Sequence, residues 1–167
     1  MTQPRPDPVA AADAEARQLA QALLRDCSHA ALAWTDPETQ TPGISRIAYG
    51  LDPRGFPLTL MSALAPHFAA LRAHPDCALM LGDPGAKGDP LTHPRLMLRA
   101  RARFVAADDP GRAALRAHWL KGHPKAALYV DFADFAFVHL QPLSALLNAG
   151  FAKAYRLTPD DLCAAPL

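Results

Sequence analysis

Cysteine is scarce in this sequence and carries no pattern. Cys27, Cys77 and Cys163 are the only three, an odd number without C-x-x-C spacing. That excludes a disulfide framework and a cysteine zinc site, and three reduced thiols are expected. Net charge is almost absent, +1 over 167 residues. A chain so nearly neutral does not hold a polyanion by bulk electrostatics, so nucleic acid is not an expected partner. Long apolar runs are missing too: none approaches the ~20 residues of a membrane helix. The opening "MTQPRPDPVAAADAEARQ" has no apolar core, so it does not read as a secretory signal, and cytoplasm is the expected location. Catalytic signatures are equally thin. There is no G-x-S-x-G elbow, and "GDPGAKGDP" lacks the Walker spacing. The seven histidines include no i, i+4 pair suited to a helical metal site. No protein metal site is expected, and no catalytic side chain stands out.

Proline, by contrast, is abundant at 17 residues, about twice its usual frequency, and it falls between periodic segments. Residues 1–8 are Pro-rich and read as a disordered tail; 9–167 read as a single domain. "VAAADAEARQLAQALLRDC" has helical apolar spacing, with Ala12, Ala16, Leu19 and Leu23 on one stripe. "SHAALAWT", "ISRIAYGLD" and "FPLTLMS" read as strands, the last two joined by the turn "DPRG". "APHFAALRAHP" is a helix with Pro66 at its first position. "DCALMLGD" is a strand and "PGAKGDPLTHP" a loop. "RLMLRARARFVAA" is a long half-buried strand, with Leu96, Leu98, Ala100 and Ala102 on one face and Arg95, Arg99, Arg101 and Arg103 on the other. A helix over "DDPGRAALRAHWLKGHP", a strand ending "DFAFVHLQP", a strand or bent pair in "SALLNAGFAKAYRL" and a helical turn in "TPDDL" complete the chain. The Gly-rich phosphate loop of a Rossmann unit is absent, and a mainly β barrel with helices at its ends fits the order best.

Two constellations carry possible chemistry. The helix start in "SALAPHF" offers unpaired N–H groups and a partial positive charge to an anion. Ser62 adds a hydroxyl, His67 a titratable donor, and Arg46 is expected within reach of the same point, on the hairpin partner of the strand that ends at Ser62. The other reading is a capped helix with an exposed histidine. The second constellation is the arginine strand, whose members stand ~6.6 Å apart. Arg101 and Arg103 read as solvent-facing groups balanced by acids on a neighbouring strand or subunit.

The stretches "GISRIAYGLD", "LMSALAPHFAALRAHPDCALMLGDPGAKGDPLTHPRLMLRARA", "HWLKGHPKAALYVDFADFAFVHLQP" and "NAGFAKAYRL" together resemble the FMN-binding split barrels related to pyridoxamine 5′-phosphate oxidase, and within them the haem-utilisation branch. The resemblance implies a six-stranded antiparallel split β-barrel with flanking helices, acting as a homodimer with ligand clefts along the subunit interface. It also implies an FMN phosphate held by Arg46, Ser62 and the start of the next helix, where His67 stands in place of the oxidases' permanent cations. Arg95 and Arg99 are expected beside the same cleft. The implied function is a flavin-dependent oxidoreductase acting on a small molecule of unknown identity. A haem-binding protein using the dimer cleft, and a cofactor-free ligand-binding dimer, are the alternatives. The haem relatives place a ligating histidine near the C-terminus, whereas the last histidine here is His139.

Overall fold

The computed structural model describes residues 9–162; the expected tail 1–8 and Cys163 lie outside them. Six longer strands, β2 (His29–Thr35), β3 (Pro42–Ala48), β5 (Pro57–Ser62), β6 (Asp76–Leu81), β7 (Arg95–Phe104) and β8 (Phe135–Asn148), pair antiparallel. Three short ones extend the sheet: β1 (Val9–Ala11), β4 (Gly50–Leu51) and β9 (Ala154–Leu157). The long strands run in the order β3, β2, β6, β7, β8, β5. The strand expected over "ISRIAYGLD" breaks at Tyr49: its end, β4, makes the expected hairpin with β5, but the part that carries Arg46, β3, does not pair with β5, and that gap is the split in the barrel. It is crossed by the Thr59 hydroxyl, which donates to Ala48 O at 2.7 Å. The expected split barrel is therefore the observed fold.

Each helix follows from local chemistry. α1 (Ala14–Asp26) begins where Asp13 Oδ1 accepts from Ala16 N at 2.8 Å, an N-cap that satisfies one orphan donor. α2 (Pro66–Ala73) has Pro at its first position and buries Leu71 in the barrel mouth. α3 (Arg112–Gly122) covers the outer face of β5 and β8 through Leu115 and Trp119. α4 (Pro159–Leu162) is one turn. Thr158 and Asp161 cap it reciprocally: Thr158 N donates to Asp161 Oδ2 at 2.8 Å and Asp161 N donates to Thr158 Oγ1 at 3.4 Å.

Two readings are corrected. Val9–Ala11 is not helical but a strand parallel to β9, so the first helix starts only after the Asp13 cap. The strand ending "DFAFVHLQP" does not stop there but runs on as β8 across Pro142 to Asn148, and the bent pair expected in "SALLNAGFAKAYRL" is its end pairing antiparallel with β9 around Gly150. A proline normally ends a central strand because it has no N–H to donate. Here the ladder shifts register between Arg99 and Ala100, whose partners are Ser144 and Pro142. Leu143 is the extra residue of this bulge, and Pro142 sits where the missing donor is tolerated.

The alternating pattern of β7 divides its side chains. Leu96, Leu98, Ala100 and Ala102 enter the barrel core with Leu32, Ile47, Tyr49, Leu79 and Leu140. β5 is buried on both faces: Met61 points into the barrel, while Leu58 and Leu60 meet Trp119, Val130 and Phe137 beneath α3. Its near-continuous apolar run reflects that double burial.

Candidate functional site

The odd-numbered face of β7 and its partners form the outer surface of the barrel. Directly paired residues lie on the same side of a sheet, so register identifies this face strand by strand. Arg46 on β3 pairs with Ala31, which pairs with Met80; Met80 pairs with Met97, Met97 with Leu146, and Leu146 with Arg156. A single cross-strand row thus begins and ends in arginine and is apolar between. Six strands spaced ~4.8 Å apart make it ~24 Å long. A second row, Ile44, Ala33, Ala78, Arg99 and Ser144, runs beside it. Ile44 is 77% exposed and Met80 52% exposed, so this apolar floor lies open in the isolated chain.

Two hollows indent the face. One, of about 190 Å³, is bordered by Arg46, Met80, Cys27, His29 and Asp83. The other, of about 670 Å³, is bordered by Met97, Arg99, Leu146, Arg17 and Arg156. Arg99 has no hydrogen-bond or ion-pair partner among the described residues, whereas Arg101 holds Asp76 through two bonds of 2.7 and 3.0 Å. Arg103 donates to Gln141 Oε1 at 2.6 Å. Arg101 is thus balanced by the neighbouring strand, as its solvent-facing reading expects. Arg95 is tied to its own loop, donating to Leu91 O at 2.9 Å.

His29 is on the same outer face, a diagonal neighbour of Arg46 at ~7–8 Å. Its Nε2 meets Asp83 Oδ2 at 3.0 Å, and Nδ1 has no partner among the described residues. A carboxylate that accepts from the N–H of one ring nitrogen leaves the other nitrogen its lone pair, the arrangement of a metal-ligating imidazole. The expected site set did not include His29. Its only sequence signal is its alternation with Ala31 and Ala33 on β2.

The structure divides the expected site residues. Arg46, Arg95 and Arg99 share the outer face. Ser62 and His67 do not join them. Ser62 Oγ donates to Asp134 Oδ2 at 2.6 Å and accepts from Leu64 N at 3.1 Å. A carboxylate is therefore already bonded to the hydroxyl that the resemblance assigns to a phosphate. His67 leans to the inner side of β3, where its Nδ1 lies 3.1 Å from Ser45 Oγ. Ser45 Oγ also accepts from the Trp34 indole at 3.0 Å. Burial lowers the His67 pKa from its ordinary 6.5, so the ring is neutral at pH 7 and supplies no cation. Asp134 and Ser45 were invisible as site neighbours because their contacts are long-range.

Burial also pushes the Cys27 thiol up and the Cys77 thiol up to about 12; neither is a ready nucleophile at neutral pH. Among the described residues, no three of His, Cys, Asp and Glu gather as a protein metal site. None of the described helices is long and apolar enough to cross a membrane.

No family model matches the chain. It is 35% identical over 114 residues to the chloroplastic haem oxygenase HOZ of Arabidopsis thaliana, covering 68% of this chain and 34% of that protein; the chain spans about a third of that relative's length. A haem-binding protein from Mycobacterium smegmatis is 26% identical with a TM-score of 0.79, covering 96% of this chain and 62% of that one. HutZ, a haem storage protein from Vibrio cholerae, superposes with a TM-score of 0.63 at 21% identity, over 79% of this chain and 90% of that one. A pyridoxine phosphate oxidase-family protein from Clostridium acetobutylicum does so at 0.68 and 14% identity, over 90% and 99%.

Proposed function

From a chain that belongs to the split barrels related to pyridoxamine 5′-phosphate oxidase, beside their haem-utilisation members, we propose a haem-binding protein. It takes the tetrapyrrole on its outer sheet face, in a cleft closed by a second copy. The observation that carries this reading is the cross-strand row from Arg46 to Arg156, apolar through Ala31, Met80, Met97 and Leu146. An apolar strip on the outer face suits the face of a macrocycle, and guanidiniums bind carboxylates in bidentate fashion. Arg46 and Arg99 are the groups assigned to the propionates. His29, whose Nε2 lies 3.0 Å from Asp83 Oδ2, would hold the iron through Nδ1, its open ring nitrogen. Bound haem would supply iron redox chemistry; the chain's own part is to seat, orient and shield it. The haem-binding relatives named above support the same reading.

The second copy is part of this proposal. Ile44 and Met80 leave an apolar patch open to solvent, which a soluble protein covers with a partner.

A second reading keeps FMN and flavin-dependent oxidation of a small molecule. It is favoured by Arg46 on β3 and by Ser62 and His67 at the start of α2. It requires Ser62 to leave Asp134, and it meets a neutral His67. The test adds haemin or FMN to protein purified without cofactor, followed by gel filtration and a visible spectrum. A Soret band eluting with the protein, without flavin bands, is expected. Retained flavin with no Soret band overturns the haem reading in favour of the second.

A further inference from the structure

At the far end of β7 from Arg99, the turn between β4 and β5 stands over His139, the partner of Arg103, and the side chains there do work that the haem reading does not use. Asp52 at the base of the turn is only 3% exposed. Its Oδ1 accepts from Arg54 N at 2.8 Å and Phe56 N at 2.9 Å. Its Oδ2 accepts from Arg54 Nε at 3.3 Å and Nη2 at 3.2 Å, and lies 3.7 Å from His139 Nδ1. The buried carboxylate therefore fixes the Arg54 guanidinium, which also stacks 5.3 Å from the Phe56 ring centroid. Across the hollow, Gln141 Oε1 fixes Arg103 Nε at 2.6 Å.

Two adjoining hollows of about 280 and 400 Å³ share Arg54, Arg103 and His139 in their walls. Arg54 Nη1 and both Arg103 Nη groups have no acceptor among the described residues, and the Gln141 amide N–H groups are likewise open. Two carboxylates belong to the walls. Asp52 is saturated by four donors, and Asp109 Oδ1 accepts from Gly111 N at 2.7 Å. The lining is thus rich in open donors, against which Asp109 Oδ2 stands as an acceptor with no donor among the described residues. Phe56, Pro57 and Leu140 supply an apolar wall on one side.

We propose that this groove binds the oxyanion of a small organic phosphate or carboxylate, with Arg54 and Arg103 as its two clamps and Phe56 against its apolar part. Guanidiniums held in place before the ligand arrives lose little freedom on binding, and paired guanidiniums recognise an oxyanion in bidentate fashion. The groove lies on the same side of the sheet as the haem face but beyond it: Arg103, paired with His139, stands four residues past Arg99 on β7, ~13 Å along the strand.

The test follows the His139 imidazole and Gln141 amide signals by NMR while phenyl phosphate, benzoate, inorganic phosphate or neutral benzyl alcohol is added to the full chain. Saturable shifts with phenyl phosphate or benzoate, and none with benzyl alcohol, are expected. Phenyl phosphate should bind more tightly than inorganic phosphate. Arg103→Gln should weaken it about tenfold, the loss of a charge-assisted hydrogen bond, and Arg54→Gln serves as the second variant if Arg103→Gln misfolds. No saturable shift with either aromatic anion up to about 10 mM, weaker than any useful site, overturns the proposal. So do affinities unchanged in the variants, or equal affinities for phenyl phosphate and inorganic phosphate.

Discussion

The Ser62 hydroxyl points its proton at the Asp134 carboxylate, 2.6 Å away across 72 residues of sequence. A phosphate brought to this hydroxyl would face a carboxylate already in hydrogen-bond contact with it. Asp134→Asn removes that charge without changing the shape. FMN affinity, read by quenching of flavin fluorescence, is expected to rise about tenfold over wild type, the scale of one charged hydrogen-bond contact. An unchanged affinity would mean that flavin phosphate never approaches Ser62.

The open apolar floor predicts the oligomeric state. Ile44→Asp and Met80→Glu each place a charge on the face assigned to the second copy. Wild-type protein is expected to sediment as a dimer at micromolar concentration and both variants as monomers, with circular dichroism unchanged. A monomeric wild type would leave the outer face without its assigned cover.

Much of this face was legible in the sequence. The strict alternation of β7 placed Arg95, Arg99, Arg101 and Arg103 opposite the core, and β3 placed Arg46 opposite Ile47. Such periodicity is local and survives folding. What escaped was set by long-range contact. The carboxylate beside Ser62 comes from a segment 72 residues away, and His67 lost its exposed character by meeting Ser45 across the barrel rim. Pro142 misled for a different reason: the bulge that tolerates it depends on the register of β7, which no single strand displays. Val9–Ala11 has helical composition, yet pairing with β9 outweighs that weak local preference.

Close packing at the barrel rim makes another residue sensitive. A Cβ at Gly43 would run into the Trp34 indole, which donates to Ser45. Gly43→Ala is expected to lower stability by about 1–3 kcal/mol, the range for overpacking, and to shift Trp34 fluorescence. Urea unfolding measures the first. Wild-type stability and emission would show that the rim has room to spare.

Stability should also depend on pH in a defined window. Burial lowers the pKa of His67 and of His139 from 6.5. The fold therefore favours their neutral forms. Above about pH 6.5 both states are neutral and the stability is fully present. As pH falls below 6.5 the unfolded chain takes protons first, and stability is lost until the lower folded values are passed. The Asp76 and Asp131 carboxylates, held low by Arg101 and Arg116, add their loss only in the acidic range of carboxylates. Thermal unfolding between pH 7.5 and 5, about the ordinary histidine range, is expected to show a falling Tm that His67→Gln flattens. A Tm independent of pH in wild type would contradict the buried, neutral state of both rings.

The most direct test of the outer-face site is a haemin titration followed at the Soret band, in wild type, His29→Ala and Arg46→Ala. Wild type is expected to saturate with a defined stoichiometry. His29→Ala should shift the Soret maximum by losing the Asp83-supported imidazole, and Arg46→Ala should weaken affinity about tenfold while keeping the wild-type spectrum, as loss of a charge-assisted contact predicts. Identical spectra and affinities in all three proteins would place haem, if it binds, somewhere other than this face.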